Sequence, residues 1–88
     1  MVRQKITVSN KDGLHMRPAG ELCKKALGYD SKITLRFRNK EFNAKSLLSI
    51  LSACVQRENE IEIECSGSDE EEAMKGIAEL IQKGFEEM

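Results

Sequence analysis

The sequence predicts an α+β fold in which helices cover one face of a four-stranded antiparallel sheet, in the order β-α-β-β-α-β-α. Two periodicities lead to this prediction. Some segments alternate between apolar and polar residues, whereas others repeat apolar residues every three or four positions, as strands and helices do respectively. Each predicted strand has one polar face, which favours an antiparallel sheet with one solvated side. Because the chain has 88 residues and no linker or internal repeat, we expect residues 1–88 to form a single domain.

The composition excludes several classes of partner. The net charge is −1 at pH 7, so the sequence lacks the broad basic surface that nucleic acid or an anionic membrane would require. No apolar run approaches the roughly 20 residues that span a bilayer, and the N-terminal segment lacks the apolar region of a secretory signal. We therefore expect a cytoplasmic protein with no nucleic-acid partner and no insertion into a membrane.

The first strand and the first helix are predicted from residues 2–28. Alternation in VRQKITVSN indicates a half-buried strand, and the following Asp12-Gly13 pair favours a turn with positive φ. Pro18 suits the first turn of a helix, and Gly28 is expected to end that helix in a left-handed conformation. Gly20 costs about 1 kcal/mol relative to alanine inside this helix, without an evident reason. The apolar stripe of the helix is Ala19, Leu22, Cys23, Ala26 and Leu27.

The middle of the chain predicts a hairpin and a second helix. Residues 32–43 alternate on both sides of an Arg-Asn-Lys turn, which is typical of a hairpin. Ser46 is then expected to cap the N-terminus of a helix over LLSILSACV. Leu47, Ile50, Leu51 and Cys54 share one face of that helix, and Leu48 and Val55 lie about 80–100° away. This apolar arc is wider than one core contact needs, so we expect part of it to remain exposed for a partner.

The last strand and the last helix are predicted from residues 60–85. EIEIECS alternates without exception, with Ile61, Ile63 and Cys65 facing inward. Ser68 and Glu71 have the spacing of a capping box at the start of the final helix. The buried side of that helix is expected to consist of Ala73, Met74, Ile77, Ile81 and Phe85.

The three cysteines predict neither a metal site nor a disulfide framework. Cys23, Cys54 and Cys65 are odd in number, form no Cys-x-x-Cys pair and share the chain with one histidine. Each lies on an apolar stripe, so we interpret them as small, reduced core residues. No metal and no cofactor are expected.

The single histidine, His15, lies in the stretch DGLHMRPAGEL at the start of the first helix. Backbone N–H groups at a helix start lack partners and carry about +0.5 elementary charge, which makes a site for anions. Arg17 adds a cation that can hold phosphate with two donors. A neutral imidazole nitrogen is a nucleophile, and these surroundings would stabilise a phosphoryl group attached to it. The pattern indicates phosphate chemistry at His15.

Position alone leaves a second interpretation open, because a lone histidine near a helix start is often a solvated cap or a hydrogen-bonded surface residue. The sequence has no second histidine, no Gly-rich phosphate loop and no cluster of paired carboxylates beside His15. Phosphate chemistry here would therefore be a relay completed by the active sites of partner proteins. The chain by itself is not expected to be an enzyme.

Two stretches resemble the signatures of one family. GLHMRPAGEL resembles the active-site signature of HPr, the histidine-containing phosphocarrier of the bacterial phosphoenolpyruvate:sugar phosphotransferase system. NAKSLLSILSA resembles the family's second signature, around a regulatory serine. The resemblance extends over the whole chain and implies the open-faced β-sandwich of that family, with three helices on one face of the sheet.

The resemblance also implies roles for individual residues. His15 would accept phosphate on Nδ1 from phosphorylated enzyme I and pass it to the enzyme IIA domain of a sugar permease, while Arg17 would hold the phosphoryl group. Ser46 matches a serine phosphorylated by HPr kinase/phosphorylase, through which a transcription regulator can be engaged; the alternative is that Ser46 is only a helix cap. A monomer is expected. The residues that match the docking surface, or stand beside the active histidine, are Met16, Leu47, Leu48 and Leu51.

Departures from the family pattern leave alternatives to sugar transport. Met16 stands where the family usually has alanine, and Ser49 and Cys54 replace glycines common in Gram-positive members. The turn in QRENEIE lacks the usual glycine, and the tail ELIQKGFEE resembles the nitrogen-related paralogue NPr. The alternatives are a regulatory paralogue of the NPr type and a protein-binding co-regulator like Crh, although Crh lacks the histidine that this chain has.

Overall fold

The structure, a computed structural model, describes residues 1–87 and the side chains of residues 1–85. The predicted order β-α-β-β-α-β-α is confirmed, and one short helical turn follows it. The elements are β1 (Val2–Thr7), α1 (Met16–Leu27), β2 (Lys32–Phe37), β3 (Lys40–Asn43), α2 (Leu47–Ser52), β4 (Glu60–Ser66), α3 (Glu70–Gln82) and α4 (Gly84–Glu87). None of the described helices is long and apolar enough to cross a membrane.

The four strands form one antiparallel sheet in the order β1-β4-β2-β3. Strand β4 is central, and its Ile63 lies opposite Gln4 of β1 and Leu35 of β2. Helix α3 packs on β1 and β4, and α1 contacts both α2 and α3. The core therefore lies between the sheet and its helices, as the alternation in the strands predicts.

The other face of the sheet carries a ladder of charged side chains. Arg36 Nε donates a hydrogen bond of 3.0 Å to Glu64 Oε1, and Arg3 Nε lies 3.2 Å from the same oxygen. The hydrogen bond from Arg36 lowers the pKa of Glu64 and raises that of Arg36. Ion pairs between neighbouring strands stabilise this face, and none of the described helices packs on it. Each strand sequence is therefore polar on one side.

The cysteines and one leucine depart from their predicted places. Cys65 is fully buried, and this burial raises the pKa of its thiol to about 11, which keeps it protonated and inert. Cys23 is only half-buried and Cys54 is exposed, so the prediction of three core cysteines is wrong for Cys54. Leu27 is 61% exposed although it follows the apolar stripe of α1, because it lies at the edge of that stripe in the last turn. All three thiols are free.

Several predicted helix ends are also wrong. Gly28 has a right-handed φ of −78°, so α1 does not end in a left-handed glycine. Helix α2 ends at Ser52, three residues earlier than expected, because Cys54 adopts φ +55°. Helix α3 ends at Gln82, so Phe85 is buried as predicted but belongs to the separate turn α4.

The predicted capping box of α3 does not form. The N-cap is Asp69 rather than Ser68, and the Asp69 carboxylate accepts hydrogen bonds from the backbone amides of Asp30 and Ser31, each at 2.9 Å. Glu70 Oε1 accepts from the amide of Gly67 at 3.0 Å instead. The start of α3 is thus tied to the start of β2, a partner far away in sequence.

Candidate functional site

His15 is the N-cap residue of α1, with an extended backbone (φ −74°, ψ −173°). Its carbonyl oxygen accepts the first hydrogen bond of the helix, from the amide of Ala19 at 2.8 Å. The His15 side chain makes no capping hydrogen bond and is exposed to solvent. The ring nitrogens are therefore not occupied by the helix that His15 begins, and a partner can reach them.

The loop before His15 is fixed by contacts with the loop after α2. Asn10 Nδ2 donates a hydrogen bond of 2.7 Å to the carbonyl oxygen of Gly13. The backbone amide of Leu14 donates a hydrogen bond of 2.9 Å to the carbonyl oxygen of Val55. Gly13 has φ +61°, and a Cβ there would lie 2.6 Å from the Val55 oxygen. Only glycine fits both the turn and this close approach. The predicted positive φ at the Asp-Gly turn is confirmed, and it holds His15 against the end of α2.

A depression of about 310 Å³ lies beside the imidazole. It is lined by residues from both segments of the chain: Leu14, His15, Leu51, Cys54, Val55 and Gln56. The structure thus brings Leu51 to the same depression as His15. Three residues of the depression, Cys54, Val55 and Gln56, were not predicted to belong to the site. The wide apolar arc of α2 was a signal for Cys54 and Val55, and nothing in the sequence marked Gln56.

The first turn of α1 is electropositive. It contains no acidic residue, and Pro18 has no N–H to offer. Within the part of the chain that the structure describes, the amides of Met16 and Arg17 have no hydrogen-bond acceptor and the Arg17 guanidinium forms no ion pair. The start of α1 is thus a niche of unpaired amides and helix dipole, with an exposed imidazole and an exposed guanidinium two residues apart in the chain, and such groups suit an oxyanion.

Three of the predicted docking residues are exposed apolar side chains on α1 and α2, two helices that pack against each other. Met16 is 63% exposed, Leu48 80% and Leu47 36%. Ile50, from the same turn of α2, is fully buried, so α2 buries one side and leaves Leu47 and Leu48 in solvent. This confirms the expectation that part of the apolar arc stays exposed.

Ser46 caps α2, as the sequence predicts. Its Oγ accepts a hydrogen bond from the amide of Ser49 at 3.2 Å, and the residue is half-buried. Ser49 Oγ in turn accepts from the amide of Asn43 at 2.9 Å, which joins α2 to β3. The residues that the structure describes contain no cluster of three or more side chains suited to a metal ion.

A family described as "PTS HPr component phosphorylation site" matches residues 2–83. The chain belongs to the HPr family. Members of this family carry phosphate between enzymes and are not catalysts themselves. The chain is therefore an HPr-type phosphocarrier, in agreement with the resemblance of its two signature stretches.

Individual relatives carry the names NPr, HPr and Crh. The chain is 34% identical to phosphocarrier protein NPr of Escherichia coli (strain K12) over 87 residues, 98% of this chain and 97% of NPr. It is similar to the structure of HPr-C-His from Thermoanaerobacter tengcongensis, with 39% identity, a TM-score of 0.97 and coverage of 100% and 99%. It is also similar to Bacillus subtilis Crh, with 35% identity, a TM-score of 0.77 and coverage of 94% and 95%. The match to HPr-C-His confirms the predicted open-faced sheet.

Proposed function

We propose that this phosphocarrier accepts a phosphoryl group on His15 from phosphorylated enzyme I and passes it to an acceptor domain of the enzyme IIA type. The observation that carries the proposal is the exposed His15 ring at the start of α1, which the helix cap does not use; Arg17, also exposed, follows two residues later. The chemistry of that niche suits a group that gains negative charge and later loses it.

The transfer is a displacement at phosphorus. The lone pair of the imidazole Nδ1 attacks the phosphoryl group of the donor protein, an N–P bond forms, and the bond from phosphorus to the donor breaks. The amides of Met16 and Arg17 and the Arg17 guanidinium supply donors for the phosphoryl oxygens. In the second transfer, a nucleophilic group of the acceptor attacks the phosphorus and forms a new bond to it. The N–P bond breaks, and His15 is free for the next cycle.

Sugar uptake is the leading function, and a nitrogen-type regulatory role is the second candidate. Similarity to HPr of T. tengcongensis supports the first, whereas similarity to NPr, together with the tail ELIQKGFEE, supports the second. The two functions differ in the donor that they require. The niche at His15 is compatible with both, so the partner decides between them.

The experiment incubates the protein with radiolabelled phosphoenolpyruvate and either a sugar-type or a nitrogen-type enzyme I. Acid-labile, base-stable label that forms faster with the sugar-type donor supports the sugar function. Faster labelling by the nitrogen-type donor assigns the chain to the regulatory branch. Absence of label with both donors contradicts the carrier proposal itself.

Phosphorylation of Ser46 is proposed as a means of regulation. A phosphate on Ser46 would set about two negative charges beside the exposed Leu47 and Leu48 and weaken docking on an acidic partner. The test is incubation with ATP and HPr kinase/phosphorylase. Regulation is supported if an acid-stable label forms, is absent from Ser46→Ala, and slows the labelling of His15. If no acid-stable label forms, the role of Ser46 is only to cap α2.

The chain is further proposed to act in the cytoplasm as a single domain and a monomer. One sheet and one buried core join β1 to α3, which supports a single domain. The Crh structure is described as a swapped dimer, so the monomer is a specific claim about this chain. Light scattering after gel filtration tests it: a mass near 9.9 kDa is expected, and twice that mass would contradict it.

A further inference from the structure

Asn10 is buried in the loop before His15, and only one end of its side-chain amide is paired. The residue is 6% exposed, and its Nδ2 donates a hydrogen bond of 2.7 Å to the carbonyl oxygen of Gly13. Within the part of the chain that the structure describes, Oδ1 is buried and has no hydrogen-bond partner. A buried acceptor without a partner lowers stability, because it has lost its hydrogen bonds to water and gained none in return.

The donor end is what fixes the direction of this amide. If the amide were turned over, Oδ1 would face the Gly13 oxygen, and two acceptors would meet with no hydrogen between them. A leucine has a similar shape and would carry no unpaired acceptor. What asparagine adds over such an apolar residue is therefore the N–H that reaches Gly13.

This N–H holds the peptide unit that joins Gly13 to Leu14. The carbonyl oxygen of the unit accepts from Asn10 Nδ2, and its N–H donates to the carbonyl oxygen of Val55 at 2.9 Å. The two bonds lie on opposite sides of one planar group. Gly13 has φ +61°, and a glycine leaves the peptide unit that follows it free to adopt several orientations. With both hydrogen bonds made, a single orientation is selected.

The orientation of this peptide unit determines the placement of His15. Leu14, at the end of the unit, is 3% exposed, and the carbonyl oxygen of His15 accepts the first hydrogen bond of α1 from Ala19. The backbone of His15 is thus held from both sides, whereas its ring makes no capping hydrogen bond. The direction in which the ring leaves the chain is therefore set by the backbone. In a displacement at phosphorus the attacking atom lies in line with the leaving group, so a small misplacement lowers the rate steeply.

We propose that Asn10 is a positioning residue for phosphoryl transfer, whose buried amide fixes the peptide unit between Gly13 and Leu14 and thereby places the His15 imidazole for in-line attack. This inference rests on the proposed carrier function. Asn10 is buried, so it acts through His15 and offers no surface to the donor protein. Its effect therefore belongs to the chemical step and not to docking.

The experiment measures kcat and KM for Asn10→Leu and Asn10→Asp in the enzyme I assay, with the donor that labels wild type best. Leucine removes the N–H, and aspartate keeps the shape of asparagine but cannot donate once it is ionised. We expect kcat to fall about tenfold or more in both variants, with KM within about twofold of wild type. The control for lost stability is Cys65→Ala, a change in the core opposite Val2, at the end of β1 away from the loop, and it should keep the wild-type kcat.

A second measurement follows the peptide unit itself. The amide of Leu14 should exchange its hydrogen faster in Asn10→Leu than in wild type, whereas the amide of Ile63 in β4 should exchange at the wild-type rate. This measurement requires no partner protein. It separates a loosened loop from a loss of stability in the whole domain.

Several outcomes would overturn the inference and leave the carrier function intact. One is a wild-type kcat in Asn10→Leu, or a rise in KM alone. Another is an unchanged exchange rate at Leu14, because the peptide unit would then keep its orientation without Asn10. Unfolding of Asn10→Leu at a lower urea concentration than Cys65→Ala would mean that the amide serves the fold. Failure of wild type to become labelled on His15 would instead remove the proposed function.

Discussion

At the scale of single residues, Cys54 is under backbone strain. It adopts φ +55°, a left-handed conformation that costs an L-residue about 1 kcal/mol, and its side chain is exposed. Glycine adopts the same φ without this cost. We expect Cys54→Gly to raise the free energy of unfolding by about 1 kcal/mol in a urea titration. Cys54→Ala keeps a Cβ and should bring no such gain; an equal gain in both variants would contradict the explanation by strain.

Arg17 is the residue expected to matter most for the rate of transfer after His15 itself. A hydrogen bond to a charged group contributes about 1.5–3 kcal/mol, so Arg17→Ala should lower the rate of His15 labelling about 10- to 100-fold. Arg17→Lys keeps the charge but loses the two-donor fork, and should recover only part of the rate. Lys40→Ala, which removes an exposed cation from β3, is the control.

An Arg17→Ala variant that is labelled at the wild-type rate would remove the guanidinium from the mechanism. The initial rate of labelling at limiting donor concentration measures this directly. A loss of the same size in Lys40→Ala would point to general electrostatic attraction of the donor rather than to a contact with the phosphoryl group.

At the scale of elements, the start of α3 depends on the charge of Asp69. The Ser31 hydroxyl and the amide of Asp30 donate to its carboxylate and lower the pKa of Asp69 below its ordinary 3.8. The charged form is thus favoured in the folded state, so the contribution to stability is present above pH 3.8 and is lost as the pH falls through that value towards the lower folded pKa.

We therefore expect Asp69→Asn to lower the urea midpoint of unfolding at pH 7. Between about pH 5 and pH 3, the midpoint of this variant should fall less steeply with decreasing pH than that of wild type. Glu79→Gln, an exposed change on the same helix, should keep the wild-type decline. Glu64 and Glu70, whose pKa values are also lowered, account for the decline that remains in Asp69→Asn. A variant with the full wild-type pH dependence would show that Asp69 does not hold α3 to β2 through its charge.

Elements were predictable where a period recurs over several residues. The alternation in EIEIECS and the stripe from Ala73 to Ile81 both correspond to buried faces in the structure. Element ends were not predictable in the same way. The carboxylate of Asp69 is used by Asp30 and Ser31, 39 and 38 residues away, and no local pattern reveals such a partner. Ser46, whose capping partner is three residues on, was predicted correctly.

At the scale of the whole molecule, stability depends on one core centred on β4. Ile63 is fully buried between β1 and β2, so Ile63→Ala should lower the free energy of unfolding by about 3 kcal/mol, from lost burial and the cavity left behind. Lys5→Ala, on the exposed face of β1, should change it by no more than about 0.5 kcal/mol. If urea titration showed the same loss of unfolding free energy in Ile63→Ala and Lys5→Ala, the core could not lie on one side of the sheet.

The sequence predicted the architecture and the position of His15 at the start of α1 better than it predicted the surroundings of the site. The order of the elements follows from periodicity, and His15 and Arg17 follow from the local start of α1. The strand order β1-β4-β2-β3 and the contact between Gly13 and Val55 join distant segments. For that reason Gln56, which lines the depression beside His15, could not be placed there from local patterns.

The most direct test of the account is the location of the phosphoryl group after reaction with phosphoenolpyruvate and enzyme I. Proton-coupled ³¹P NMR of the labelled protein should show one phosphoramidate signal that couples to the imidazole ring of His15 and is absent from His15→Ala. A phosphoramidate signal of undiminished intensity in His15→Ala would contradict the central claim.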